Sequence, residues 1–329
     1  MERKQALLIW VRKILADPEC YIRSASSDAS FRSYWRVFSQ LETYIVMDAP
    51  PVHENCQPFI DISQKLDDCG IQVPKVIAQD LNQGFLLIAD LGTVQYLNIL
   101  NQDNYIHLYN DAIKALHIMQ QDVSKDNVPL YDRALLQQEL NLFEQWFITK
   151  HLDVELNNNQ QTVLQQCHNL LIDNAQQQPQ TFVHRDYHSR NLMKTKNNNP
   201  GVLDFQDAVI GPITYDLVSL LRDCYITWDE SVVSSLSNQF RETYNRLNQS
   251  NINSLQWQKW FDLMGMQRHL KATGIFCRLN YRDNKSSYLK DINRTLCYVK
   301  NIAGKYPEFQ QFANLIQQIM PSMEALCEQ

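Results

Sequence analysis

Apolar positions fall into two patterns along the chain. In roughly the first ninety residues they form short runs separated by polar turns. Beyond that they recur mostly at three- and four-residue spacing. Leu7, Leu8, Val11, Ile14 and Leu15 have helical spacing and predict an amphipathic helix at the start. Residues 34–38 and 44–47 are rich in aromatic and β-branched side chains and predict strands, with 39–43 as a hairpin turn. Residues 57–69 predict a helix with Phe59, Ile60, Ile62 and Leu66 on one side, stopped by Gly70. Two further strands are predicted at 73–78 and 85–89, across the polar turn 79–84. The order strand, strand, helix, strand, strand implies an antiparallel sheet crossed by a helix.

After Asp90-Leu91-Gly92 the periodicity becomes helical, at 105–120, at 133–150 and from Tyr215 onward. Only 181–207 interrupts it, with short apolar runs around a polar cluster. The fold class predicted is therefore α+β and two-lobed, with a sheet lobe over 1–91 and a helical lobe over 92–329. Three polar runs, 157–161, 176–180 and 197–200, read as solvated loops.

Composition adds mainly exclusions. The net charge of -6 leaves no broad basic surface for a nucleic acid. The first sixteen residues mix charges with apolar positions, unlike a signal peptide, and no run approaches the roughly 18 apolar residues that span a bilayer. The eight cysteines are scattered without a C-x-x-C, which predicts reduced thiols and a cytoplasmic protein. No feature calls for an obligate protein partner.

The chemistry concentrates in two segments. Val183-His184-Arg185-Asp186-Tyr187-His188-Ser189-Arg190-Asn191-Leu192 has the form H-R-D-x-x-x-x-N, and Val202-Leu203-Asp204-Phe205-Gln206 begins like D-F-G. Together they match the catalytic loop and metal-binding turn of kinases. A hairpin of 192–194 with 202–203 would bring Asp204 beside Asn191. Phosphoryl transfer needs a carboxylate to accept the acceptor's proton and hard oxygen ligands for Mg²⁺. Asp186 suits the first role; Asn191 and Asp204 suit the second. His184 reads as a residue bracing the loop. His184 and His188 have i,i+4 spacing, but a zinc pair of that kind needs a helix with a glutamate between.

These residues make the chain resemble the aminoglycoside phosphotransferase and choline kinase superfamily of small-molecule kinases, with the protein-kinase-like fold. The resemblance covers nearly the whole chain. The run from Gln206 to Leu217 is similar to the superfamily's D-x-x-x-A-x-x-G-P-x-x-x-D-L, whose last Asp supports the catalytic loop, a role implied here for Asp216. The runs 26–32, 45–51, 84–92 and 221–225 resemble the cell-wall sugar kinases of Gram-negative bacteria. That resemblance implies ATP-dependent phosphorylation of N-acetylmuramate or N-acetylglucosamine at the anomeric hydroxyl, in peptidoglycan recycling. It also implies that the nucleotide meets the linker at Ala89, Asp90 and Leu91. Arg190, Arg222 and Arg268 are candidates to bind a carboxylate-bearing sugar, and Glu139 lies on a helix that could line that site.

The sequence departs from the general kinase pattern twice. The loop over the phosphates, 26–32, has no glycine. Ser26, Ser27 and Ser30 fit a phosphate cradle and fit a plain polar turn equally. The third strand carries no lysine, which leaves Arg32 or Arg36 to supply the positive charge. Two other readings stay open: a small-molecule kinase with a different acceptor, and a pseudokinase scaffold. All three of Asp186, Asn191 and Asp204 are present, which argues against the scaffold. Only eleven residues separate Asp204 from Asp216, with no A-P-E after them, which argues against a protein kinase.

Overall fold

The computed structural model describes residues 2–27, 31–40 and 42–320, with the backbone alone for Ser26 and Ser27. By packing, the chain divides into two compact units, Met1–Ser124 with Arg190–Ala208, and Lys125–Ser189 with Val209–Gln329. Strands do give way to helices near residue 91, where the sequence predicts a lobe boundary. Packing, however, parts the chain at Ser124 and returns 190–208 to the first unit.

The first unit opens with α1 (Arg3–Leu15) and a five-stranded antiparallel sheet of β1 (Tyr21–Ser27), β2 (Ser33–Phe38), β3 (Thr43–Asp48), β4 (Val76–Asp80) and β5 (Phe85–Ala89), in the order β1-β2-β3-β5-β4. Helix α2 (Gln57–Asp68) joins β3 to β4 and buries Phe59, Ile62 and Leu66. Beyond its end Gly70 takes φ +77°, which glycine adopts without strain. Side chains alternate across the sheet. Val37, Val46, Phe85 and Leu87 form one core with Leu7 and Val11 of α1. Their neighbours Arg36, Ile45 and Ile88 point to the opposite face. Strand β1 was not expected. It lies at the sheet edge, and the residues Arg23, Ser24 and Ala25 are exposed, so no apolar alternation marks it.

Further along come α3 (Tyr96–Ile99), α4 (Tyr105–Asp122), α5 (Arg133–Leu142), α6 (Asn158–Gln177), β6 (Gln180–Val183), β7 (Leu192–Met193), β8 (Gly201–Val202) and β9 (Val209–Pro212). The chain continues with α7 (Tyr215–Leu221), α8 (Glu230–Asn248), α9 (Ser254–Asp283), α10 (Ile292–Lys305) and α11 (Gln310–Ile319). In the second unit the 30-residue α9 packs against α5, α6, α7 and α10. At Gly274 its backbone comes so close to α5 that a Cβ would stand 2.4 Å from the carbonyl of Leu142. There the predicted continuous helix 133–150 widens into a π-helical stretch, Phe143–His151.

Two of the three polar runs are not the loops expected. Asn157 accepts from the N–H groups of Asn159 and Gln160 in a capping box, so 158–161 opens α6. Residues 176 and 177 close the same helix, and Gln180 starts β6. Polar residues on an exposed helix face carry no loop signal of their own. Residues 197–200 do form a loop, joining β7 to β8.

Among the described residues six cysteines are free thiols, but Cys297 is disulfide-bonded, which corrects the expectation of reduced thiols throughout. Spacing along the chain does not reveal which thiols a fold brings within bonding reach. Among the described residues no helix is long and apolar enough to cross a membrane.

Candidate active site

The first unit holds a cavity of about 440 Å³, within the range of small-molecule sites. The free face of the sheet forms one wall through Ala25, Arg36, Ile45 and Ile88. The linker Ala89, Asp90, Leu91 and Gly92 forms its edge. The opposite wall is Met193 and Leu203 with the polar group Asn191, Asp204 and Gln206. Apolar walls facing each other with polar groups at one end suit a flat heteroaromatic ring carrying a charged tail.

The polar end is built by the β7–β8 hairpin, which pairs Leu192 with Val202 and Met193 with Gly201, where the sequence suggests 192–194 against 202–203. The main-chain N–H of Leu203 donates to Asn191 O at 2.9 Å, and Asn191 Nδ2 lies 3.3 Å from Asp204 Oδ2. Asp204 takes φ +63°, a left-handed conformation that aspartate tolerates better than most residues. Gln206 Nε2 donates to its Oδ1 at 2.8 Å. Phe205 is buried against Phe59 with ring centroids 4.9 Å apart. The hairpin loop is anchored by Asn199, whose Nδ2 donates to Tyr96 Oη and Asp111 Oδ2, each at 2.7 Å. Lys194 N–H donates to Val94 O and Val202 N–H to Gln72 O. A side chain at Gly201 would run into Leu91 Cδ1 at 2.8 Å, so this hairpin lies tight against the linker.

A carboxylate beside an amide that can turn its oxygen inward offers two hard donors. Among the described residues no group of three His, Cys, Asp or Glu side chains could hold a metal. The pair has the hard oxygen donors of which Mg²⁺ usually takes one or two from a protein, the rest coming from phosphate and water.

Arg36 supplies a cation on the sheet wall of the cavity. It donates from Nε to Asp90 Oδ2 at 2.7 Å, and from Nη2 to Asp90 Oδ1 at 3.1 Å and to Gly92 O at 2.8 Å. Burial tends to raise the Asp90 pKa, but Arg36 and the Gly92 N–H hold it below the usual carboxylate range. Arg32 is held by Glu54, Nε to Oε2 at 3.0 Å, and does not line the cavity. Of the two arginines that could stand in for the strand lysine, Arg36 is the one at the cavity. The phosphate-cradle expectation cannot be followed: Ser30 lies outside the described residues, as do the side chains of Ser26 and Ser27.

The second unit carries His184, Arg185, Asp186, His188 and Ser189 on the loop after β6. Asp216, fully buried at the start of α7, accepts from the N–H of His184 at 2.7 Å (Oδ2) and of Arg185 at 3.0 Å (Oδ1). Asp216 thus holds two main-chain amides of the loop. His184 is also fully buried, and its Nδ1 accepts from the N–H of Asp186 at 3.2 Å. Asp223 anchors the far end of the loop, with Oδ2 accepting from Ser189 N at 2.9 Å and Ser189 Oγ at 2.6 Å. Arg185 takes φ +76° and is held there by an ion pair with Glu139. Burial tends to raise the Asp186 pKa, but Lys271, His188, Arg268 and Arg185 together pull it below the usual value. Its carboxyl is ionised at neutral pH and half-buried, the state a proton acceptor requires.

The three candidate arginines serve different places. Arg190 lines the cavity of the first unit. Arg222, in the second unit, is tied to Asp262 at 2.8 Å and Glu230 at 2.7 Å and is almost fully buried, so its guanidinium is a structural cation. Arg268 is buried and donates to Cys224 Sγ at 3.3 Å. Sequence reasoning missed Lys271, Tyr131 and Tyr215 around Glu139. No spacing marks them in the sequence, where Lys271 reads as one more charge on a long helix.

Comparison with known proteins accords with this geometry. A profile of the phosphotransferase enzyme family matches residues 22–249. The chain is 40% identical to an N-acetylmuramate/N-acetylglucosamine kinase of Pseudomonas putida, over 98% of each chain. Among solved structures it is similar to the ADP-bound aminoglycoside phosphotransferase APH(2'')-Ib, with TM-score 0.59 and 14% identity, covering 90% of this chain and 98% of that one. It is also similar to a choline kinase from Streptococcus pneumoniae, with TM-score 0.61 and 13% identity, covering 92% of this chain and 100% of that one. These structural likenesses, with the N-terminal antiparallel sheet and helical remainder, establish an α+β, two-lobed protein-kinase-like fold.

Proposed function

Since the chain belongs to the phosphotransferase enzyme family, we propose that it transfers the γ-phosphoryl group of ATP to the anomeric hydroxyl of N-acetylmuramate or N-acetylglucosamine, in the recycling of peptidoglycan. The observation that carries this reading is the 40% identity to a kinase of that name over 98% of both chains. The two solved relatives are small-molecule phosphotransferases, one with ADP bound, which supports nucleotide in the cavity of the first unit.

In this mechanism the adenine lies between the sheet and the pair Met193 and Leu203, at the linker Ala89–Leu91. Asn191 and Asp204 would hold Mg²⁺, which would supply positive charge against that of the transferring phosphoryl group. Arg36 keeps the linker in place through Asp90 and Gly92. Asp186 accepts a hydrogen bond from the acceptor hydroxyl and takes its proton late, as the phosphoryl group arrives. An anomeric hydroxyl suits a carboxylate base, because the ring oxygen withdraws electrons from C1 and makes it more acidic than its neighbours.

The test is the position of phosphate in the product. With either sugar and Mg-ATP, phosphorus NMR should show coupling to the anomeric proton. Methylation of O1 should abolish turnover, while methylation of O6 leaves the reacting hydroxyl available. A product coupled to the two C6 protons would replace the anomeric assignment with a 6-kinase. Asp204→Ala tests the metal assignment. Calorimetry should show weakened Mg-ATP binding along with lost turnover; wild-type Mg-ATP affinity would remove Asp204 from the metal site.

A further inference from the structure

Glu139 is a buried carboxylate shared by two cations from distant parts of the chain. Its Oε1 forms ion pairs with Arg185, the residue before Asp186, and with Lys271 Nζ at 2.9 Å. Its other oxygen accepts from Tyr131 Oη. Lys271 lies in the middle of α9, is 7% exposed, and donates a second hydrogen bond to Tyr215 Oη at 3.0 Å. A buried lysine is costly unless its charge is paired and hydrogen-bonded, and Lys271 is both. Arg185 alone would already neutralise Glu139. Lys271 brings one positive charge more than the Glu139 carboxylate can balance, and the next carboxylate it acts on is that of Asp186.

We infer that Lys271 is a positioning residue for the phosphoryl transfer: through Glu139 it clamps Arg185, the residue before Asp186, and so sets the direction of the Asp186 carboxyl. This rests on the reading of Asp186 as the base. The charged groups that act on Asp186 include Lys271 and Arg268 from α9, Arg185 and His188 from its own loop, and Asp216 from α7. Lys271 is the strongest of the cations that lower the Asp186 pKa. Burial pulls the pKa of Lys271 itself down, but Glu139 and the neighbouring groups more than reverse this, so it stays protonated over the working range of pH. Removing it must move the protonation of Asp186 to higher pH, because the carboxylate loses its main stabilising charge and keeps its burial.

The experiment compares Lys271→Met and Lys271→Gln, two neutral replacements, with Lys271→Arg, Asp186→Asn and the wild type. For each, kcat and KM are measured from pH 4 to 9, together with the melting temperature. Both neutral variants should lose roughly 10- to 100-fold in kcat, the usual effect of residues that orient a site from behind. Their KM for ATP should stay within about twofold of wild type, and the acid limb of their kcat profile should move upward. Lys271→Arg should return the limb towards the wild-type position. A structural role alone would lower activity alike at every pH and leave the limb in place, and that result in whichever neutral variant folds overturns the inference. Inactive Asp186→Asn beside neutral variants of wild-type activity and profile overturns the role of Lys271 while leaving the base assignment standing. Wild-type turnover in Asp186→Asn overturns both.

Discussion

Replacing Asp186 with asparagine is expected to lower kcat by about 10²- to 10⁴-fold, the range for loss of a general base, with Mg-ATP affinity nearly unchanged. The carboxyl is held ionised by four surrounding cationic or ionisable groups against the effect of its burial, so the wild-type enzyme needs no deprotonation step near neutral pH. Asparagine keeps the volume and one hydrogen-bond acceptor, and the N–H of residue 186 still reaches His184 Nδ1. The loop should therefore stand, and the loss should lie in chemistry and not in folding. Asparagine cannot take the proton. Single-turnover measurement at saturating sugar and Mg-ATP isolates this step, and turnover within a few-fold of wild type would exclude Asp186 as the base. The contrast with Asp204→Ala is informative, because that variant is expected to lose nucleotide binding as well.

Much of this site is legible in the sequence because its parts are local. His184, Asp186 and Asn191 fall within eight residues, and the hairpin expected from 192–194 with 202–203 forms one residue away, as 192–193 with 201–202. Asp216 is legible from the resemblance, and the structure shows the physical reason for an acid there, two buried loop amides that need an acceptor. The clamp behind Arg185 is not legible. Glu139 and Lys271 are 132 residues apart, on α5 and α9, and each alone reads as a charge on a helix surface. Arg222 shows the same limit: its residue type fits a carboxylate-bearing sugar, but its commitment to Asp262 is a contact between α7 and α9 that no spacing reveals. Strand β1 stayed hidden for a different reason. An exposed edge strand needs no apolar face, so the residues from Tyr21 to Ser27 carry little β signal. The widened turn at Phe143 comes where Gly274 brings another backbone against the helix, a steric fact invisible in the spacing of Leu136, Leu140, Phe143 and Phe147.

Removing the Asp216 side chain should have the largest effect on stability. Asp216→Ala leaves the N–H groups of His184 and Arg185 buried without an acceptor, at about 1–3 kcal/mol each, and releases the backbone on which Asp186 is mounted. The expected result is a clear drop in melting temperature together with loss of turnover. Asp216→Asn should recover much of the stability, because its Oδ1 still accepts one of the two hydrogen bonds. The pH dependence separates this role from that of Lys271. Burial pushes the Asp216 carboxyl up to about 7, although the two amides pull it down. A folded-state value above the unfolded one means that the native state binds this proton more tightly. From this group, then, stability is greatest in acid and falls as the pH rises from about 4 to about 7. In Asp216→Asn that slope should disappear from the melting profile. Asp216 is already protonated in the acid range where Asp186 takes its proton, so the acid limb of kcat should stay in place in Asp216→Asn, unlike the upward shift expected for a neutral residue at position 271. An Asp216→Ala protein that melts like the wild type would show that the two loop amides find other partners, and would remove Asp216 as the support of the loop.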